Sequence, residues 1–145
     1  MEENKLKIVG LVFAKKREKN GMALDMLTRT GNLYFMAPEM LEGGGYRESV
    51  DVWAAGILLF KLIAGYTPFE DLYYEDVVRA IVNCELTFPP CFDKYNGELL
   101  KFLEKIIEKN IKIRYSAQQS LQDPWLIGLS HQNNFITRKK STDIS

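Results

Sequence analysis

The chain has 145 residues, of which 46% are apolar, and this is enough for one domain with a hydrophobic core but too little for two ordinary domains. Its 19 basic and 19 acidic residues cancel, so no overall charge favours nucleic acid or an acidic membrane surface as a partner. The 26% of charged residues and 12% of aromatic residues argue against an intrinsically disordered chain. We therefore expect one folded domain, without a charge-driven preference for nucleic acid or acidic membranes.

Cysteine usage and the lack of targeting patterns indicate in which cellular compartment the protein is expected. The two cysteines, Cys84 and Cys91, form neither a C-x-x-C pair nor a disulfide framework, which is typical of a reducing environment. The N-terminus has no signal-peptide pattern, and the most apolar stretch, residues 52–60, is shorter than the roughly 20 residues that a membrane span needs. We therefore expect a soluble cytoplasmic protein without a membrane partner.

The N-terminal third contains a predicted strand and a long loop. Residues 5–14 form an apolar run with β-branched side chains, which predicts a strand. Residues 15–36 begin with a basic run and continue with threonine, glycine and asparagine, so they predict a loop of about 20 residues, a length that is typical of functional or mobile loops. We interpret the basic run as solvated surface. The glycines at 43–45 predict a turn.

A central helix is predicted over residues 50–64, with Ser49 as its capping residue. Asp51 lies in its first turn, where a carboxylate interacts favourably with the helix dipole, and Gly65 ends it. Only two charged residues occur in this stretch, so we expect a helix that is buried on most faces, with Trp53 in the core.

Three further helices are predicted at residues 72–83, 97–109 and 117–122. The first two carry apolar residues at helical spacing, and Ser116 can cap the third. The remaining residues, 128–145, are polar and predict a frayed tail. The periodicity alone thus indicates a mainly helical domain with one strand and one long loop.

A series of motifs adds information that periodicity lacks. The motifs are M-A-P-E at 36–39, S-V-D-V-W-A-A-G-I at 49–57, G-Y-T-P-F at 65–69, I-R-Y-S-A at 113–117 and D-P-W-L at 123–126. Their order and spacing resemble the second half of the large lobe of a protein serine/threonine kinase, a family in which A-P-E is a signature. Residues 81–89 look like the calcium/calmodulin-dependent and related calcium-dependent branch.

This resemblance implies a fold and a domain boundary. The fold is mainly α, a partial kinase-like C-lobe made of the activation segment and the helical base, with one or two short N-terminal strands. The truncated kinase-like domain would cover residues 5–127, and residues 128–145 would form the flexible tail.

The resemblance also implies an activation-loop phosphosite and a loop that seats the substrate. Thr28 lies three residues before the glycine of that loop, at the position of the usual phosphothreonine, and Thr30 is a second candidate. An unmodified loop threonine at 28 remains an equal alternative. The substrate loop comprises Gly31, Asn32, Leu33, Tyr34 and Phe35.

Structural roles follow from the same resemblance. Glu39 and Arg114 match an ion pair that ties this loop to the helical base, and Asp51 matches a buried aspartate that holds the backbone of the catalytic loop. Each residue has a simpler alternative. Glu39 would be a surface carboxylate, Arg114 a charge flanking a helix, and Asp51 an acidic residue at the start of a helix. The full set of structural positions is Ala37, Pro38, Glu39, Asp51, Trp53, Gly56 and Arg114.

The sequence lacks the parts that phosphoryl transfer needs. It contains no G-x-G-x-x-G, no V-A-I-K lysine, no H-R-D and no aspartate followed by Phe-Gly. Gly10-Leu11-Val12 stands before Phe13, where D-F-G is expected, and Asn32 stands where the family usually has a threonine. We therefore expect no catalytic, ATP-binding or metal-binding residue and no cofactor, although the intact family uses Mg-ATP.

The leading hypothesis is a fragment or degenerate member of the serine/threonine protein kinase family, whose reaction transfers the γ-phosphate of ATP to serine or threonine of proteins. Alone it would be inactive, and it would act by binding protein substrates or regulators of kinases. One alternative is a truncated form of an active calcium-dependent-like kinase. Another is an unrelated helical interaction module. The oligomeric state stays open.

Overall fold

A computed structural model of the chain describes residues 7–9, 11–14, 18–19, 22–23, 31–43, 45–70, 73–95 and 97–129. The α-helices in these ranges are α1 (Pro38–Leu41), α2 (Ser49–Ala64), α3 (Tyr74–Asn83), α4 (Gly97–Ile106) and α5 (Ala117–Leu121). Residues 124–129 are also helical and are called the C-terminal segment here. Short 3-10 helices lie at Leu11–Phe13, Leu33–Phe35 and Pro90–Phe92. The mainly α fold that was predicted is confirmed.

The strand predicted over residues 5–14 is wrong where the structure describes it. Residues 7–9 have no regular secondary structure, and Leu11–Phe13 form a 3-10 turn. Four apolar side chains described in this segment are exposed: Ile8 by 85%, Val9 by 81%, Leu11 by 67% and Val12 by 87%. A strand needs a neighbour for its backbone groups, and no described strand lies beside this segment.

Two short strands occur instead in the stretch predicted to be a loop. β1 (Glu18–Lys19) pairs antiparallel with β2 (Met22–Ala23), and Glu18 lies opposite Ala23. Each strand has only two residues, which is shorter than the window over which a hydrophobic pattern is read, so the pattern does not reveal them.

Helix α2 is the centre of the fold and covers the predicted residues. Gly65 is the C-cap of the helix, and its φ of 88° is a left-handed conformation that favours glycine. The N–H of Gly65 donates to the carbonyl of Lys61 over 2.8 Å. Trp53 is completely buried and stacks on Phe69 with ring centroids 5.9 Å apart. The prediction that this tryptophan lies in the core is confirmed.

The expectation that α2 is buried on most faces holds for the described residues, except along one side of the helix. Asp51 and Ala55 are exposed, Leu58 is 45% exposed and Leu62 is 75% exposed. These positions recur every three or four residues and so form one side of the helix. The 3-10 helices Leu33–Phe35 and Pro90–Phe92, together with α4, contact α2, and none of the described elements covers this exposed side.

Close packing of α2 against α4 depends on a glycine. A Cβ atom placed on Gly56 would lie 2.6 Å from Cγ1 of Ile107 and 3.0 Å from Cγ1 of Ile106. Separations this short are not compatible with a side chain, so the two isoleucines occupy the space that the missing Cβ leaves free. Gly56 therefore sets how closely the two chain segments approach.

The remaining helices follow the prediction with shifted ends. α3 begins at Tyr74 and stops at Cys84, whose φ of 55° is left-handed, and α4 ends at Ile106 rather than at residue 109. α5 begins with a capping box in which the Ser116 hydroxyl and the Gln119 side chain each accept from the other residue's backbone N–H.

The C-terminal segment is attached to α4 by polar and aromatic contacts. Asp123 is buried, and its carboxylate accepts from Lys105 Nζ over 3.0 Å and from the N–H of Trp125 over 3.1 Å. The Trp125 ring stacks on Phe102 at 5.1 Å. The C-terminal segment is helical through residue 129, whereas the tail was predicted to start at residue 128. Residues 130–145 lie outside the described part of the chain.

One arginine joins elements that are far apart in sequence. Arg114 donates from both terminal nitrogens to the carboxylate of Glu39, over 2.7 and 2.9 Å, so the pair is bidentate. The same guanidinium donates to the carbonyls of Ser49 over 3.2 Å and Glu108 over 2.6 Å, and its carbon lies 5.0 Å from the centroid of the Trp53 ring. The side chain of Arg114 has no solvent exposure.

Replacing Arg114 by methionine should lower the free energy of unfolding by about 3–5 kcal/mol, because it leaves the Glu39 carboxylate, 13% exposed, without a cationic partner. Arg79→Met is the matched control. It removes the pair with Asp76, in which the arginine side chain is 70% exposed, and should cost less than about 1 kcal/mol.

Denaturant unfolding followed by circular dichroism measures both changes. Adding Glu39→Gln to Arg114→Met should recover part of the loss, because the buried charge is then removed. Equal costs for the two arginine variants would contradict a stabilising role of the buried pair.

Replacing Gly56 by valine should destabilise the protein by about 2 kcal/mol, because overpacking of a core typically costs about 1–3 kcal/mol. Ala55→Val adds methyl groups on the exposed side of the same helix and should cost less than about 0.7 kcal/mol. The same unfolding measurement serves here, and an unchanged stability of the Gly56→Val variant would show that α2 and Ile107 are farther apart.

Candidate protein-interaction site

The loop that the resemblance assigns to substrate seating packs on the helical base. Leu33–Phe35 form a 3-10 helix that contacts α2. Asn32, the residue that replaces the expected threonine, caps it: its Oδ1 accepts from the N–H of Tyr34 over 3.1 Å. Gly31 precedes it with a φ of 120°, which favours glycine. The loop is thus locally ordered by its own capping residue.

The chain after this loop leads into the buried ion pair. Ala37 is fully buried at the N-cap of α1, and Pro38 occupies the first helical turn, where its missing N–H costs nothing. Glu39 follows in the first turn and also accepts from the Ser49 hydroxyl over 3.4 Å. The structure therefore brings Ala37, Glu39 and Arg114 together, whereas Thr28 and Thr30 lie outside the described residues.

Asp51 differs from its expectation. The residue is exposed, although the resemblance implies a buried aspartate. Partial burial of its carboxylate and, secondly, the nearby charge of Glu48 raise its pKa above the usual value. Among the described residues no hydrogen bond or ion pair to this carboxylate is formed. Asp51 would be buried only if a further segment of polypeptide covered the exposed side of α2. The described residues include no such segment.

An apolar groove of about 900 Å³ runs along this side of α2 and is called the α2–α4 groove here. Asp51 and Glu48 stand at the end where α2 begins. The apolar lining includes Val52, Ala55 and Leu59 of α2, Phe102 and Ile106 of α4, and Trp125 of the C-terminal segment. Sequence reasoning missed this groove, although the spacing of apolar and small residues on α2 carried a signal of a second contact surface.

The described residues hold no arrangement suited to metal or thiol chemistry. No group of three histidine, cysteine or acidic residues within the described ranges is placed to bind a metal ion. Both cysteines are free thiols. Burial chiefly raises the pKa of the Cys84 thiol, which donates to the carbonyl of Ile107 over 3.4 Å, so little thiolate forms near neutral pH.

Within the described residues, no helix has the length and apolar character needed to span a bilayer. The arrangement of the described side chains is that of a packed helical base with an open groove. The groove lining is mainly apolar and also includes charged side chains, among them the paired Glu39 and Arg114.

Comparison with known proteins identifies relatives. The family model of the protein kinase domain matches residues 1–126. Calcium/calmodulin-dependent protein kinase type I of Schizosaccharomyces pombe is 34% identical over 102 residues, which are 70% of this chain and 30% of the relative. Calcium/calmodulin-dependent protein kinase cmkB of Emericella nidulans is 33% identical over 118 residues, which are 79% of this chain and 29% of the relative.

A plant relative gives the same result. CBL-interacting protein kinase 32 of Oryza sativa subsp. japonica is 37% identical over 99 residues, which are 68% of this chain and 22% of the relative. The chain thus spans less than a third of each of these relatives. Because the kinase-domain model matches most of the chain, and the buried Glu39–Arg114 pair and the central helix lie within the matched residues, the chain belongs to the protein kinase family.

Proposed function

We propose that this chain, taken alone, has no phosphotransfer activity and acts as a polypeptide-binding member of the serine/threonine kinase family. The observation that carries the proposal is the sequence at residues 10–12, Gly-Leu-Val, where the resemblance places the magnesium-binding aspartate. Mg-ATP chemistry depends on positioned metal ions and on a base beside the acceptor hydroxyl.

The proposal is supported by the chemistry that remains. The sequence has neither H-R-D nor a glycine-rich phosphate loop, so the γ-phosphate would meet no cradle and the acceptor hydroxyl no motif-placed base. The helical base and its substrate-loop residues are present, and these parts of a kinase contact proteins rather than nucleotide. Protein substrates or regulators of kinases are the partners that this remainder suits.

A second candidate function rests on the short overlap with the relatives. The chain spans less than a third of the relatives it matches, and the alternative is that it is a truncated form of an active calcium-dependent-like kinase whose missing half is encoded upstream in the same gene. Sequencing of the transcript upstream of the codon for Met1 distinguishes the two candidates: an in-frame small lobe with H-R-D and D-F-G motifs would favour the active enzyme.

The purified chain should transfer no radiolabelled phosphate from Mg-ATP to a serine peptide above the background of a denatured sample, because the base and the metal ligands are absent. An intact kinase assayed in parallel serves as the positive control. Transfer by the chain alone that heat denaturation abolishes would overturn the proposed lack of catalysis.

Replacing Thr28 by glutamate, as a phosphate mimic, should change stability by less than about 0.5 kcal/mol and leave the rate of loop proteolysis unchanged. The phosphothreonine of the family pairs with the arginine of H-R-D, and this sequence has no such motif. Thr30→Glu is the matched control. A clear rise in melting temperature or strong protection of the loop in the Thr28 variant alone would contradict this expectation.

A further inference from the structure

We draw no further inference here: the strongest candidate, the surface patch near the C-terminal end of α2 in which the part-exposed rings of Tyr66 and Tyr95 border the buried Phe60 and Phe92, carries nothing, because the described part of the chain does not show what covers it.

Discussion

The bidentate contact between Glu39 and Arg114 is the interaction on which the described structure depends. It joins residues 75 positions apart and places one guanidinium against α1, the start of α2 and the chain that follows α4. A planar guanidinium suits this position because it can donate in several directions at once while its face lies over the Trp53 ring. Removal of either partner leaves a buried charge without its counter-charge, which is why the loss of Arg114 is expected to be costly.

Around this contact, α2 has two sides with different roles. One side carries Trp53 and Phe60 into the core, and Gly56 on that side lets Ile107 approach to a distance that no other residue would allow. The other side exposes Ala55 and Leu62. A helix that is apolar all round requires packing on both sides, and the described chain supplies it on one.

The candidate site could be predicted from the sequence only in part. The positions of Glu39 and Arg114 follow from motifs, because both residues stand at fixed offsets within recognisable segments. The exposure of Asp51 could not be predicted, because the motif describes its place in a complete domain, whereas burial depends on which neighbouring chain is present. The sequence does not predict that Asn32 acts as a cap, because the same side chain could equally point away from the backbone of the loop. Only the three-dimensional structure shows its hydrogen bond with Tyr34.

The sequence by itself determined helices α2 to α5 and the family, because periodicity, capping residues and motif spacing are local features that do not depend on the partners of each element. Ser116 and Gly65 mark helix ends through their own hydrogen bonds and backbone conformation. Only the tertiary structure decided that residues 7–9 form no strand and that α2 keeps one side open. Strand pairing and burial are properties of neighbours distant in sequence, and a pattern within a single segment does not contain them.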